Sequence, residues 1–298
     1  PIGAITKDCE GMEITEMDDM RAAGAVAFSD GPKGIQHSGV LMRALQYAKA
    51  FDGVVIHQPN DETIARKGQM HEGKISTMLG MRGVPSMAES VMVQRDLSLN
   101  EYTNSKLHFA HISTSDSVDL IKKSQKKGQS VTAGVPAINL AMKDEDLLSF
   151  DTNLKIMPPL REKGDITSLK NGLKDGTIAC IVANHVPKDV DAKNLEFGNA
   201  DFGAIGLQTT FAVAAEAMGD ADLVVEKLTS GPRQILGLPI PTLEEGAEAN
   251  LTFYDPDATW TLPQSEVLSK SKNSFFIGKE LKGKVLGVVN NGMSFLNG

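Results

Sequence analysis

Residues 106–136 read KLHFAHISTSDSVDLIKKSQKKGQSVTAGVP. The run opens with the strand-like 106–113, continues through a helical pattern over 115–127 that Gly128 ends, and returns to a strand over 130–136. Two strands joined by a helix of this length pair in parallel. The same alternation extends in both directions: AVAFSD (25–30), VVIHQP (54–59), LKIM (154–157) and GTIACIVAN (176–184) read as further strands, six in all. Helical periodicity falls on 37–53, 86–104, 203–219 and 221–238. After 238 the pattern turns to β: 248–256, 259–262 and 283–292 alternate with Gly and Pro turns. The spacing therefore predicts a (β/α) barrel unit over 1–238 and a small β-rich unit over 239–298, with the boundary in PIPTLEEG, 239–246.

A chain of 298 residues has ample core for such a barrel. The net charge of −8 argues against nucleic acid and anionic membrane as partners. No apolar run nears the roughly 20 residues of a membrane span. Cys9 and Cys180 are expected as free thiols of a reducing cytoplasm.

Polar residues collect where the strands end: Asp30, His57, His111 and the pair Asn184–His185. In a parallel barrel these positions meet on one face, where active sites are built. Two imidazoles and a carboxylate converging there are plausible ligands for a zinc-like ion. A metal hydrolase also needs a base, and the Asn184 amide has no basicity to offer. His108 is expected to be structural, because residues three apart in a strand face opposite sides and it should not share a site with His111. His71 is expected in a solvent-facing loop.

PIGAITKDCEG (1–11), 72–97, 107–121, MPPLR (157–161), LKDGTIACIVANHVPK (173–188), FGAIGLQT (202–209), 251–262 and 269–285 together resemble the dihydroorotases of the amidohydrolase superfamily. These barrel enzymes interconvert carbamoyl aspartate and dihydroorotate in pyrimidine synthesis. The resemblance implies a TIM-type (β/α)8 barrel with its first strands missing from this chain, plus a small C-terminal β domain. It places Asp30, His57 and His111 on metal-ligand positions. Asn184 falls on the aspartate of the family's Thr-Asp-His-Ala-Pro-His, which is both ligand and catalytic base. Met157 stands for a substrate-contacting Asn, and Lys188 for the last His of that motif. Where the family reads Glu-Val-Thr-Pro-His-His, this chain has residues 134–139, GVPAIN. The family's His-X-His on the first barrel strand has no counterpart here.

Two functional expectations follow from the resemblance. One is a non-catalytic dihydroorotase homologue of pyrimidine synthesis, kept as a scaffold or as a partner of aspartate transcarbamoylase. The alternative is an active zinc-dependent dihydroorotase or a related cyclic amide hydrolase acting on dihydroorotate. Zinc is expected as cofactor only if the site functions, and a cytoplasmic homo-oligomer is expected in either case. The Gly-rich segment 196–209 resembles the family's substrate-side loop, which makes the backbones of Ala200 and Gly203, with His185, candidates for contacting a planar ring.

Overall fold

The computed structural model describes residues 1–296. Six short strands form one parallel sheet: β1 (Ile2–Gly3), β2 (Ala27–Phe28), β3 (Val54–His57), β6 (Lys106–Phe109), β7 (Val131–Pro136) and β8 (Cys180–Val182), in the order β1-β2-β3-β6-β7-β8. Between β3 and β6, the strands β4 (Met70–His71) and β5 (Gly83–Val84) make a separate parallel pair. Consecutive strands of the large sheet are neighbours, as in a barrel wall.

Strand alternation sorts the side chains. Val55, Leu107, Phe109, Val131, Ala133, Val135 and Ile181 face one layer of helices and join the main core. There they meet Leu41 and Leu45 of helix Ser38–Lys49, Val93 and Leu97 of Met87–Thr103, Ile121 of Ser115–Lys126, and Leu169 and Leu173 of Lys163–Lys174. The helix after β6 starts where the sequence signals it. The Thr114 side chain accepts the Ser117 N–H as N-cap, and Lys123 and Lys126 sit in the last turn, where the helix dipole favours cations.

The C-terminal strands β9 (Leu251–Thr261), β10 (Glu280–Asn290) and β11 (Met293–Leu296) form an antiparallel sheet in the order β11-β10-β9. Asn291 and Gly292, both at positive φ, make the two-residue turn between β10 and β11. This sheet reaches the barrel core through Leu281, which is 3% exposed, with Trp260 packed beside it.

The structure corrects several expectations. LKIM is not a strand: Thr152–Leu154 is a 3-10 turn closed by Lys155 N–H to Thr152 O, and Pro158 and Pro159 then withhold the N–H groups a ladder needs. The sixth strand of the sheet is instead β1, at Ile2–Gly3. The segments 248–256 and 259–262 fuse into the single β9. The helical regions 203–219 and 221–238 contract to Thr210–Met218, Ala221–Leu228 and Ser230–Ile235.

One buried carboxylate ties the upper loops together. Glu89, on helix Met87–Thr103, accepts the N–H groups of Ser113 and Thr114 at 2.9 and 3.0 Å and both of their hydroxyls. Arg161 lies beside it, with Nη2 3.9 Å from Oε2, and donates onward to Ser113 Oγ, His71 Nδ1 and Val84 O. Helix, post-β6 turn, β4–β5 pair and PPLR turn thus share one network. Glu89→Ala strands these donors and the guanidinium, so it is expected to cost about 3–5 kcal/mol in urea unfolding, with Glu89→Gln costing less.

Candidate functional site

The three expected metal ligands lie on the wall but do not converge. Asp30 is 4% exposed and its carboxylate is engaged from below: Oδ1 accepts Ile5 and Thr6 N–H at 2.9 and 2.8 Å, and Oδ2 accepts the Thr6 hydroxyl. His57 has the parity of Val55, so it points toward the helices. Its Nδ1 lies 2.6 Å from Asp96 Oδ2 on helix Met87–Thr103, and its Nε2 accepts Ile35 N–H at 2.7 Å. Arg95 completes this knot by donating to Asp96 and to the carbonyls of Ile35 and Gln36. His111 sits beyond the end of β6, where burial pushes its pKa down to about 4. His111 also adds to the lowering of the His108 pKa, behind burial. His108 itself is buried and bonded to Thr132 Oγ1 at 2.8 Å, as a structural histidine would be.

Among the described residues, the cluster whose ligand atoms all lie within 4.8 Å of one another is a different one: His71, Asp144 and Glu162. His71 was expected in solvent but lies on β4, 6% exposed. Arg161 Nη1 is 2.9 Å from its Nδ1, and a guanidinium can only donate, so the neutral ring carries its proton on Nε2. That N–H, rather than a lone pair, faces Glu162 at 3.8 Å. Burial pushes the Asp144 carboxyl pKa up, with Glu162 adding to the shift.

At the end of β8, Asn184 adopts φ 46° and its Nδ2 donates to Met157 O at 3.0 Å. Asn139 Nδ2 donates to Pro159 O at 3.1 Å and Pro158 O at 3.4 Å. Two amides thus hold one turn, whose Met157–Pro158 bond is cis. The Met157 side chain packs against Ala65, Val84 and Ala88. Lys188 pairs with Asp201 at 2.9 Å. Ala200 is buried, with its N–H given to Glu196 O. Gly203 has no backbone group left for a ring, since its N–H goes to Lys155 O and its carbonyl accepts Lys193 Nζ and Asn273 Nδ2. His185 accepts Gly206 and Leu207 N–H at Nδ1, at 3.2 and 3.4 Å. It lines a cavity of about 250 Å³ with Ile205, Leu207, Leu262, Leu268 and Ser274. Asp30 lines a separate cavity of about 380 Å³ with Cys9, Glu10, Lys33, His37 and Glu62.

Comparison with known proteins fits this architecture. A family model described as dihydro-orotase-like matches residues 1–117. The dihydroorotase of Pelotomaculum thermopropionicum is 44% identical over 289 residues, covering 95% of this chain and 67% of that protein. That of Caldicellulosiruptor saccharolyticus is 41% identical over 297 residues, covering 98% and 69%. The chain belongs to the dihydroorotase family. Among solved structures, the L-hydantoinase (dihydropyrimidinase) of Arthrobacter aurescens superposes with a TM-score of 0.84 at 22% identity, covering 99% of this chain and 69% of that one. A D-hydantoinase superposes at 0.80 with 17% identity, covering 99% and 69%. These two establish the amidohydrolase barrel fold.

Amidohydrolase barrels are typically metal-dependent, which makes the donor set worth testing. In kind it suits zinc: carboxylate and imidazole, with Asp96 behind His57 as an orienting carboxylate. In arrangement it does not fit, because the Asp30 oxygens and His57 Nε2 already accept protein donors and the three residues do not gather within ligand distance among the described residues. Sequence reading missed Glu89, Asp96, Arg95 and the role of Arg161, and marked Asn139 only as the replacement of a family imidazole. Their only sequence signal is a charged or amide residue at a core-facing position of a helix or a Pro-rich turn. No helix among the described residues is long and apolar enough to cross a membrane.

Burial, reinforced by Arg161, pushes His71 down to about 4, and burial takes His108 to about 3. The unfolded chain protonates these rings first as pH falls, so stability is full above about 6.5 and declines through pH 4. Thermal melts from pH 7 to 4 should show this decline. His71→Gln, which keeps an acceptor for Arg161, should flatten it by up to about 3 kcal/mol.

Proposed function

We propose that this chain works at the dihydroorotase step of pyrimidine synthesis, on the carbamoyl aspartate and dihydroorotate pair. The observation carrying this reading is 44% identity to a dihydroorotase across 95% of the chain. The cavity at His185 supplies a ligand-facing surface at the end of β8. Its size suits part of a small planar ring, and pockets of this type combine an apolar lining with a few polar groups. In this reading zinc is the cofactor and the cytoplasm the compartment, and any loaded site draws ligands from beyond the arrangement described above.

A specific observation favours a second reading, a non-catalytic member that serves as scaffold or as partner of aspartate transcarbamoylase within a homo-oligomer. The position of the family's base is an amide engaged with Met157 O, and a second amide, Asn139, holds the same turn. Losing a general base alone lowers turnover by about 10²–10⁴. Hydrolysis of dihydroorotate by the full-length protein at a median enzyme rate of about 10 per second would support the first reading and end the second. Undetectable turnover, together with co-purification with aspartate transcarbamoylase, would do the reverse.

Asn184→Asp probes this strand end directly. The variant carboxylate would face Met157 O, which the native amide meets as donor at 3.0 Å. We expect a stability loss of about 1–3 kcal/mol in denaturant melts, and no gain in ring opening from this change alone.

A further inference from the structure

Loop 197–207 is fastened by two ammonium groups. Lys155 is 2% exposed and Lys193 7%. Lys155 Nζ donates to Phe197 O at 2.6 Å and Gly198 O at 3.3 Å, and lies 5.3 and 5.0 Å from the ring centroids of Phe197 and Phe202. Lys193 Nζ donates to Asp201 O at 2.8 Å and Gly203 O at 3.0 Å. Among the described residues neither lysine makes an ion pair with a carboxylate. An unpaired buried ammonium is costly unless hydrogen-bonded, and here the loop's own carbonyls and aromatic faces provide that compensation. Moving the loop would strip both cations of their partners together.

The loop continues into the site. Val186 N–H donates to Ala204 O at 2.8 Å, and the next residues aim Gly206 and Leu207 N–H at His185 Nδ1. A nitrogen that accepts two N–H groups carries no proton, which leaves Nε2 as the ring nitrogen that holds the hydrogen. That N–H is the donor the ring has left to offer the cavity it lines.

We propose that Lys155 and Lys193 are positioning residues: by clamping loop 197–207 they fix the His185 tautomer, so that the cavity presents an Nε2–H donor suited to a carbonyl or carboxylate oxygen. This rests on the reading of the β8 end as a ligand-facing site and does not require turnover. Ring-opening assays test that reading; the measurements below test the clamp.

Trace acetylation of the folded, unmodified protein, read by peptide mass spectrometry, should label Lys155 and Lys193 at least about tenfold more slowly than Lys188. Equal labelling would overturn the clamp without any substitution. In Lys193→Met, amide exchange over 201–207 should rise about tenfold relative to β6 and β7, and the His185 ring nitrogens should move in ¹⁵N spectra toward a mixture of tautomers. In Lys155→Met the increase should centre on 197–199. Lys193→Cys treated with 2-bromoethylamine, which regenerates an ammonium at nearly the native length, should recover both signals, with the treated parent as control. A uniform rise in exchange across the barrel, or unmoved His185 signals beside a loosened loop, would refute a positioning role.

Discussion

A carboxylate buried beneath the strand ends must have its lone pairs filled, and Glu89 fills them with the backbone and hydroxyls of Ser113 and Thr114. That requirement fixes where the turn after β6 sits relative to helix Met87–Thr103. Arg161 then extends the constraint, because a guanidinium in the same buried place must spend its own donors. It does so on Ser113, His71 and Val84, which locks the β4–β5 pair and the PPLR turn into the same frame. Asp96 performs the corresponding task lower down, joining His57 and Arg95 to loop 34–37. Both acids project from one face of one helix, seven residues apart, so two helical turns organise much of the upper rim.

The barrel was legible because its evidence is local. Apolar runs of strand length, helical periodicity and a Gly stop after 127 follow from neighbouring residues, and β3, β6, β7 and β8 lie within the predicted segments. The site was less legible because its determinants are distant pairs. Glu89 and Ser113 are 24 positions apart, and His71 and Arg161 are 90 apart. Nothing in the text of the sequence announces them. His57 shows the limit most clearly: its residue type suggests a ligand, while its parity with Val55 turns it toward Asp96. LKIM failed for a comparable reason, since its apolar pattern hides a lysine whose ammonium is needed inside.

Asn139 and Asn184 gain meaning together. Each stands where the family resemblance places a group that can ionise, an imidazole and a carboxylate. Each instead gives an amide N–H to a carbonyl of the same Pro-rich turn. A carboxylate cannot donate, and an imidazole is too large to copy the same short reach. The two substitutions therefore act on one structural unit, exchanging groups that titrate for groups that do not.

The placement of Leu281 has a bearing on how this molecule would come apart. A side chain from β10 sits in the same apolar cluster as strands β3, β6 and β7, although more than a hundred residues of chain separate them. The C-terminal sheet is thus not an appendage that can be released while the wall stays closed. Detaching it would open the interior, so wall and sheet should be lost in a single cooperative event, and a proteolytic cut between them would leave two pieces still held by their shared interior.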